Sequence, residues 1–232
     1  MKYFTDLHIH TALSPCADDD MTPNNIVNMA CLKELSFIAI TDHNSMLNVE
    51  SCMKCASEKD IIVVPGMEVS TSEDIHVLCL FSDLDTLKKF DQLINESLPD
   101  IKNRSDLFGN QLILDENDEL VGQHDQFLLT GCGYSIDEIN RIVIDMGGVF
   151  IPSHIYREAT GILSILGTVP EDLMINFVEV EASQQYEGYQ CLRTSDAHHL
   201  ESILEKEQPF DLEEKSIESL FSKLKYIKNV KF

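Results

Sequence analysis

Seven of the eight histidines in this chain sit at an end of a short apolar run, and most share that end with an acid. His8 and His10 finish YFTDLHIH, Asp42 and His43 finish FIAITDH, and Glu68 falls late in IIVVPGMEVS. His154 finishes GGVFIPSH, Asp196 and His198 finish YQCLRTSDAH, and His199 follows directly. Alternate side chains of a strand share a face, so His8 and His10 project side by side, and two neutral imidazoles on one face are half of a metal site. One such pair could equally be a strand with two exposed histidines, and a lone strand-end histidine is more often a satisfied polar residue than a ligand. Six or seven imidazoles with three or four carboxylates are a different matter if they gather on one rim. Removing so many titratable groups from water is costly unless cations compensate them, so the pattern predicts a multinuclear metal site.

The elements that must gather them are legible as alternation. Short β-branched or apolar runs, the five above with IHVLCLF and NFVEVEA, alternate with helical patterns, which argues for a mostly parallel α/β architecture. Seven strands with intervening helices suggest a barrel one unit short of the eightfold one, with its site at the carboxyl ends of the strands. His76 is the deviation, because it begins its run; it reaches the same rim only if the loop before it enters from that side. Thr22 can cap a helix with Pro23 at its first position, SIDE at 135–138 is a capping box for a helix ending at Gly147 and Gly148, and a last helix is predicted over 217–228. Residues of about 99–134 break the alternation. There QLILDENDELVG reads as a small hairpin within an insertion, a lid or an oligomer contact, and His124 in it is assigned to solvent.

Composition narrows the function classes. With 44% hydrophobic and 25% charged residues and no Gly/Ser/Pro-rich linker, the chain reads as one domain over 1–232. No signal-peptide pattern opens it and no apolar run could span a bilayer, so a cytoplasmic protein without membrane contact is expected. Seven cysteines without a regular framework fit a reducing compartment, and Cys52 and Cys55, a lone CxxC in a helical stretch, are read as structural. A formal charge of −23 argues against gripping duplex nucleic acid, which needs a basic stripe. An anionic substrate would need positive charge concentrated in the site, which metal ions could supply.

Taken in order, DLHIHT, AITDHNS, PGMEVS, HVLCL, PSH and SDAH resemble the motifs of the polymerase and histidinol phosphatase (PHP) domain family, from Asp6 to His198. The resemblance implies an α/β fold, a distorted (β/α)7 TIM-like barrel with the metal site at the C-terminal ends of the strands, and a metal-dependent phosphoesterase with two to three divalent ions. It implies that His8, His10, Glu68 and Asp196 hold one ion, with Glu68 bridging to a second held by His76 and His154. His43 and His198 would hold a third with a residue from TALSPCADDDMTP, where family members commonly carry Ser-Asp-Gly; position relative to Pro23 favours Asp18, with Asp19, Asp20 and Cys16 open.

Imidazole with carboxylate suits zinc, manganese or iron alike. A carboxylate shared by two ions holds them roughly 3.5–4 Å apart, close enough to bridge a hydroxide that attacks a phosphate monoester. Glu68 and Asp196 are the expected catalytic carboxylates. Arg157, just past a ligand, is the better of two arginines for forking onto phosphate oxygens, Arg193 being as readily a salt bridge under the rim. His199 could protonate a leaving group or be plain surface. The expected partner is a small phosphorylated substrate or a short single-stranded nucleic-acid end, the latter making the chain a 5′-end nuclease or nucleotide phosphatase. Readings of another class are an amidohydrolase-type metallohydrolase, which Glu68 on an early strand fits poorly, and a non-catalytic metal-binding module, whose missing ligands are not seen.

Overall fold

Five of the seven expected strands, joined by one further short strand, hydrogen-bond into a single curled sheet in the computed structural model, which describes residues 1–181 and 183–225. The chain runs β1 (Lys2–Ile9), α1 (Pro23–Leu32), β2 (Phe37–Ile40), α2 (Val49–Ala56), β3 (Ile62–Ser70), β4 (His76–Leu80), α3 (Leu84–Ser97), α4 (Ser105–Phe108), β5 (Leu112–Leu114) and β6 (Leu120–Gln123). It continues through α5 (Ile136–Asp145), β7 (Val149–Pro152), α6 (Ile162–Leu166), β8 (Phe177–Glu179), β9 (Gln190–Leu192), β10 (Pro209–Asp211) and α7 (Ile217–Leu224). The main sheet has the order β10-β1-β2-β3-β4-β7. β8 and β9 pair in parallel as a separate ribbon that spans the remaining gap. On one side the Ile155 N–H donates to Glu179 O at 3.1 Å, and on the other the His10 N–H donates to Ala197 O at 3.0 Å. The result is the expected distorted α/β barrel.

Period-two alternation sorts the core. Ile38, Ile40, Met67 and Val77 pack with Ile26 and Val27 of α1, Leu87 and Phe90 of α3 and Ile139 and Val143 of α5. Their alternates Phe37, Ala39, Val64 and Leu78 face a second cluster with Leu220, Phe221 and Leu224 of α7. Both faces of β2 are therefore buried, which is why it reads as an unbroken apolar run.

β4 differs from the expected direction. β1, β2 and β3 are mutually parallel, whereas β4 runs antiparallel to both β3 and β7. A five-residue connection between β3 and β4 is too short for a parallel crossover, so the chain has to turn back. Reversal puts the start of β4 at the edge where its neighbours end, which is how His76 reaches the rim.

The local signals formed as expected. Thr22 accepts the Asn25 N–H at the head of α1 with Pro23 in the first turn, and Ser135 with Glu138 makes the capping box of α5. The hairpin β5–β6 turns on Asp115, which accepts the Asn117 and Glu119 N–H groups, and Asn48 ties it to the body through Leu112 O and the Leu114 N–H. Cys52 is buried in the core and Cys55 half-buried, as packing residues of α2. His124 is not in solvent: it is half-buried, and its Nε2 is buried with no hydrogen-bond partner. β10 carried no alternation to reveal it, being three residues that begin with proline. The last helix forms over Ile217–Leu224 and leaves helical geometry at Lys225, short of the expected span, whose residues 226–228 lie outside the described ones.

Asp91 on α3 is mostly buried and accepts the Met46 N–H at 2.9 Å; burial pushes its carboxyl up to about 6, the hydrogen bonds from Met46 and Asn95 only partly opposing this. The folded chain then holds a proton that the unfolded chain releases near its ordinary carboxyl range. Stability contributed by this group is present at pH 4, falls as the pH climbs through 6, and stays lost above it. Asp91→Asn keeps the acceptor oxygen without the charge, so urea denaturation at pH 7.5 is expected to give a gain on the order of 2 kcal/mol, with little change at pH 4.

Candidate metal centre

Glu68, on the half of β3 that pairs with β4, is 1% exposed and ringed by imidazoles from four other segments. Its Oε1 lies 3.4 Å from His8 Nε2, 3.3 Å from His76 Nδ1 and 3.1 Å from His154 Nε2. Its Oε2 lies 3.4 Å from His10 Nε2 and 3.1 Å from His43 Nδ1. Asp196 faces the same point, with Oδ1 3.2 Å from His8 Nε2 and 3.1 Å from His10 Nε2. Three overlapping sets emerge: His8, His10, Glu68 and Asp196; His43, Glu68 and His76; and His10, His43 and His198.

These separations bear on what the pocket can hold. Ligand atoms ~2.0–2.1 Å from one tetrahedral ion lie roughly 3.3 Å from each other, the spacing found here. Glu68 Oε2, Asp196 Oδ1, His43 Nδ1 and His76 Nδ1 are all buried without a hydrogen-bond partner. Orphaned buried polar atoms are costly, and these four, spread over the overlapping sets around Glu68, fit cations. The clusters together point to a polynuclear metal site.

Protons alone satisfy the pocket badly. Burial works against charge on His10, yet the carboxylates of Asp196 and Glu68 beside it outweigh burial and lift its pKa to about 9. His8 is likewise raised well above its ordinary value by Glu179, Asp196 and Glu68 against burial. His198 is pushed down to about 4 by burial and the charge on His10, and the same two causes hold His43 well below its usual value. Burial would raise Glu68, but His76, His8 and His43 hold its carboxyl well below the carboxylate range. Some imidazoles gain protons only as their neighbours lose them, whereas divalent ions could satisfy all of them at once.

The backbone is bent to aim these groups. His154 and Asp196 adopt φ of +27° and +49°, and Asn44, next to His43, adopts +49°. Left-handed conformations are unfavourable for a side chain such as histidine, and they persist where the surroundings over-determine them, typically at functional sites. Asn44 is held by its own amide, which donates to Leu128 O and Thr130 O and accepts the Ser70 N–H, so part of the 99–134 segment braces the loop carrying His43. The β1–β2 register also shifts between Asp6 and Ile9, beside His8.

Of the residues singled out in the sequence, His8, His10, His43, Glu68, His76, His154, Asp196 and His198 are brought together, but Asp18 is not. Its carboxylate pairs with His199 Nδ1 at 2.6 Å, both side chains about half exposed. Of the candidate ligands in this loop, Cys16 is the one that touches the cluster, its Sγ lying 3.1 Å from His198 Nε2. Arg157 is half-exposed at the rim, with Nη2 2.6 Å from Asp196 Oδ2. Arg193, partly buried, lines a separate cavity of about 590 Å³ with Phe177, Gln208 and Lys223. Two supporting residues escaped the sequence reading. Glu179 contacts His8 Nδ1 at 2.9 Å, and Ser14 contacts His10 Nδ1 at 2.9 Å while donating to Asp42 Oδ1 at 2.7 Å. A signal for Glu179 existed: it is a charge inside the apolar run NFVEV.

A polynuclear metal pocket at the strand ends of a distorted α/β barrel is the class that fold and site define. Residues 6–168 match the PHP domain, and the chain belongs to that family. An uncharacterized protein of Methanocaldococcus jannaschii is 34% identical over 91 residues, covering 36% of this chain and 53% of its own length. In overall fold the chain is similar to a lesion-specific endonuclease from Pyrococcus furiosus, with a TM-score of 0.70 and 16% identity over 99% of this chain and 57% of that one. An endonuclease Q complex with a 27-mer duplex bearing an abasic lesion at the active site matches at a TM-score of 0.69 and 16% identity, over 96% of this chain and 56% of the other. The chain thus spans little more than half of these relatives. Among the described residues no helix is long and apolar enough to cross a membrane.

Titrating chelator-treated protein with zinc or manganese is expected to load two or more ions per chain and to raise its unfolding free energy, by about 2.7 kcal/mol per site at a hundredfold excess over the dissociation constant. No uptake at saturating cation would refute the site.

Proposed function

We propose that this chain is a metal-dependent phosphoesterase that hydrolyses a phosphate monoester. The observation that carries the reading is the division of Glu68, one oxygen facing three imidazoles and the other two, which suits a carboxylate shared between ions. His8, His10, Glu68 and Asp196 would hold the first ion, Glu68, His76 and His154 the second, and His43 with His198 a third. For that third site the contact of Cys16 with His198 favours the thiol over Asp18 as the loop ligand. Bound ions, whether zinc, manganese or iron, would supply a Lewis acid for phosphoryl oxygens and lower the pKa of a water molecule.

The chain's own groups complete the task. Arg157 has further N–H donors beside the one engaged by Asp196, and its half-exposed guanidinium can take a phosphate oxygen as substrate arrives. His199, held by Asp18 at the rim, is proposed as proton donor to the leaving group. A charge of −23 favours a small phosphorylated substrate, or the terminal phosphate of a short single strand, over a duplex backbone. A second reading, a nuclease, draws on the likeness to endonuclease Q, which is one of fold.

Release of inorganic phosphate from a panel of monoesters, run beside single-stranded, plain duplex and abasic duplex DNA and beside amides and lactones, separates these readings. Monoester turnover that depends on added manganese or zinc is expected, and Glu68→Gln is expected to abolish it with loss of bound metal. Activity confined to amides or lactones would reject the phosphoesterase reading, and activity confined to DNA would favour the nuclease. His199→Gln is expected to slow alkyl phosphates much more than p-nitrophenyl phosphate, whose leaving group needs no proton. An equal effect on both would remove His199 from that role.

A further inference from the structure

Each imidazole of the HxH pair has its far nitrogen against a buried acceptor from another part of the chain. His8 Nδ1 lies 2.9 Å from Glu179 Oε1. The Glu179 carboxylate is already an acceptor twice over, from the His154 N–H at 2.7 Å and from the Thr194 hydroxyl, so both its oxygens are engaged as acceptors. The hydrogen between Glu179 and His8 must therefore sit on His8 Nδ1. His10 Nδ1 meets Ser14 Oγ at 2.9 Å, and that hydroxyl spends its own proton on Asp42 Oδ1 at 2.7 Å. Asp42 is fixed as an acceptor by the Thr11 N–H and Thr11 hydroxyl, each at 2.7 Å. Ser14 can then only accept from His10 Nδ1–H.

The consequence falls on the opposite nitrogens. With both Nδ1 atoms protonated, neutral His8 and His10 turn bare Nε2 lone pairs toward each other at 3.0 Å, with Asp196 Oδ1 and the two oxygens of Glu68 close by. Electron pairs and negative oxygens facing one another at that distance need positive charge between them, which protons supply in the metal-free protein and a metal ion would supply when bound. Glu179 also holds the His154 N–H at the residue whose φ is +27°, so one carboxylate orients a ligand on β1 and secures the strained backbone after β7.

We propose that Glu179 directly, and Asp42 through Ser14, are positioning residues that fix His8 and His10 in the Nδ1–H tautomer and thereby present two unprotonated Nε2 atoms to the first metal ion. The proposal rests on the metal-centre reading, and its test separates the two. Glu179→Gln is nearly isosteric; with its amide oxygen on the His154 N–H, the NH2 group faces His8 Nδ1 and favours the opposite tautomer, with a proton on Nε2. Zinc affinity measured by competition with a chromophoric chelator is expected to fall roughly 10- to 100-fold in Glu179→Gln, and to fall also in Ser14→Ala, which removes only a hydroxyl. In zinc-loaded wild-type protein labelled with 15N-histidine, long-range 1H–15N spectra are expected to report a proton on Nδ1 and none on Nε2 for both residues, a readout that needs no variant to fold. Wild type that binds no zinc would overturn the metal centre itself. Wild-type affinity in both variants, even with a lowered melting temperature of the metal-free protein, would leave Glu179 and Ser14 a structural role and overturn the positioning, as would a spectrum with the proton on Nε2.

Discussion

A carboxylate buried among five imidazoles is the constraint around which this molecule is built. Among the described residues no lysine or arginine lies within ion-pair distance of Glu68, and the groups that do are ring nitrogens. A buried charge is tolerated when it is paired or binds metal. The imidazoles around Glu68 cannot all carry protons, because each charged ring disfavours the next. Burial, like-charge repulsion and orphaned polar atoms are resolved together by cations, so binding and folding are expected to be coupled here.

The architecture follows from bringing five segments to Glu68. Three parallel strands deliver side chains at one edge, and a reversed strand delivers His76 at its beginning instead of its end. Curling lets the segment after β9 bridge back to β1 through Ala197, which sets Asp196 opposite His8 and His10. At two residues of the cluster the chain leaves regular strand geometry, His154 and Asp196 adopting left-handed φ values. The 99–134 segment contributes as well, since Asn44 and Asn48 tie it to the loop and helix that follow β2.

Electrostatics at two scales point in opposite directions. The chain as a whole is strongly acidic, which does not favour long polyanions. Its pocket, by contrast, holds more imidazole than carboxylate and would be cationic once loaded. A small anion can exploit the local field without bringing an extended backbone near the acidic surface.

Much of this was legible along the sequence, because strand ends and ligands are local patterns. The apolar runs, the capping box, the hairpin turn and eight residues of the cluster could all be read from spacing, and the ordered motifs pointed to the family. Distances across the barrel were another matter. That Asp18 turns to His199 while Cys16 meets His198 depends on the path of one loop, which composition does not encode. The direction of β4, the half-buried state of His124 and the attachment of Glu179 to His8, 171 residues away, depend on which strands lie side by side. The sequence alone determined which chemistry the chain carries, since ligand type is a property of side chains. Tertiary structure decided which nitrogen meets which oxygen, because hydrogen bonds act over about 3 Å and only the folded chain brings distant residues that close.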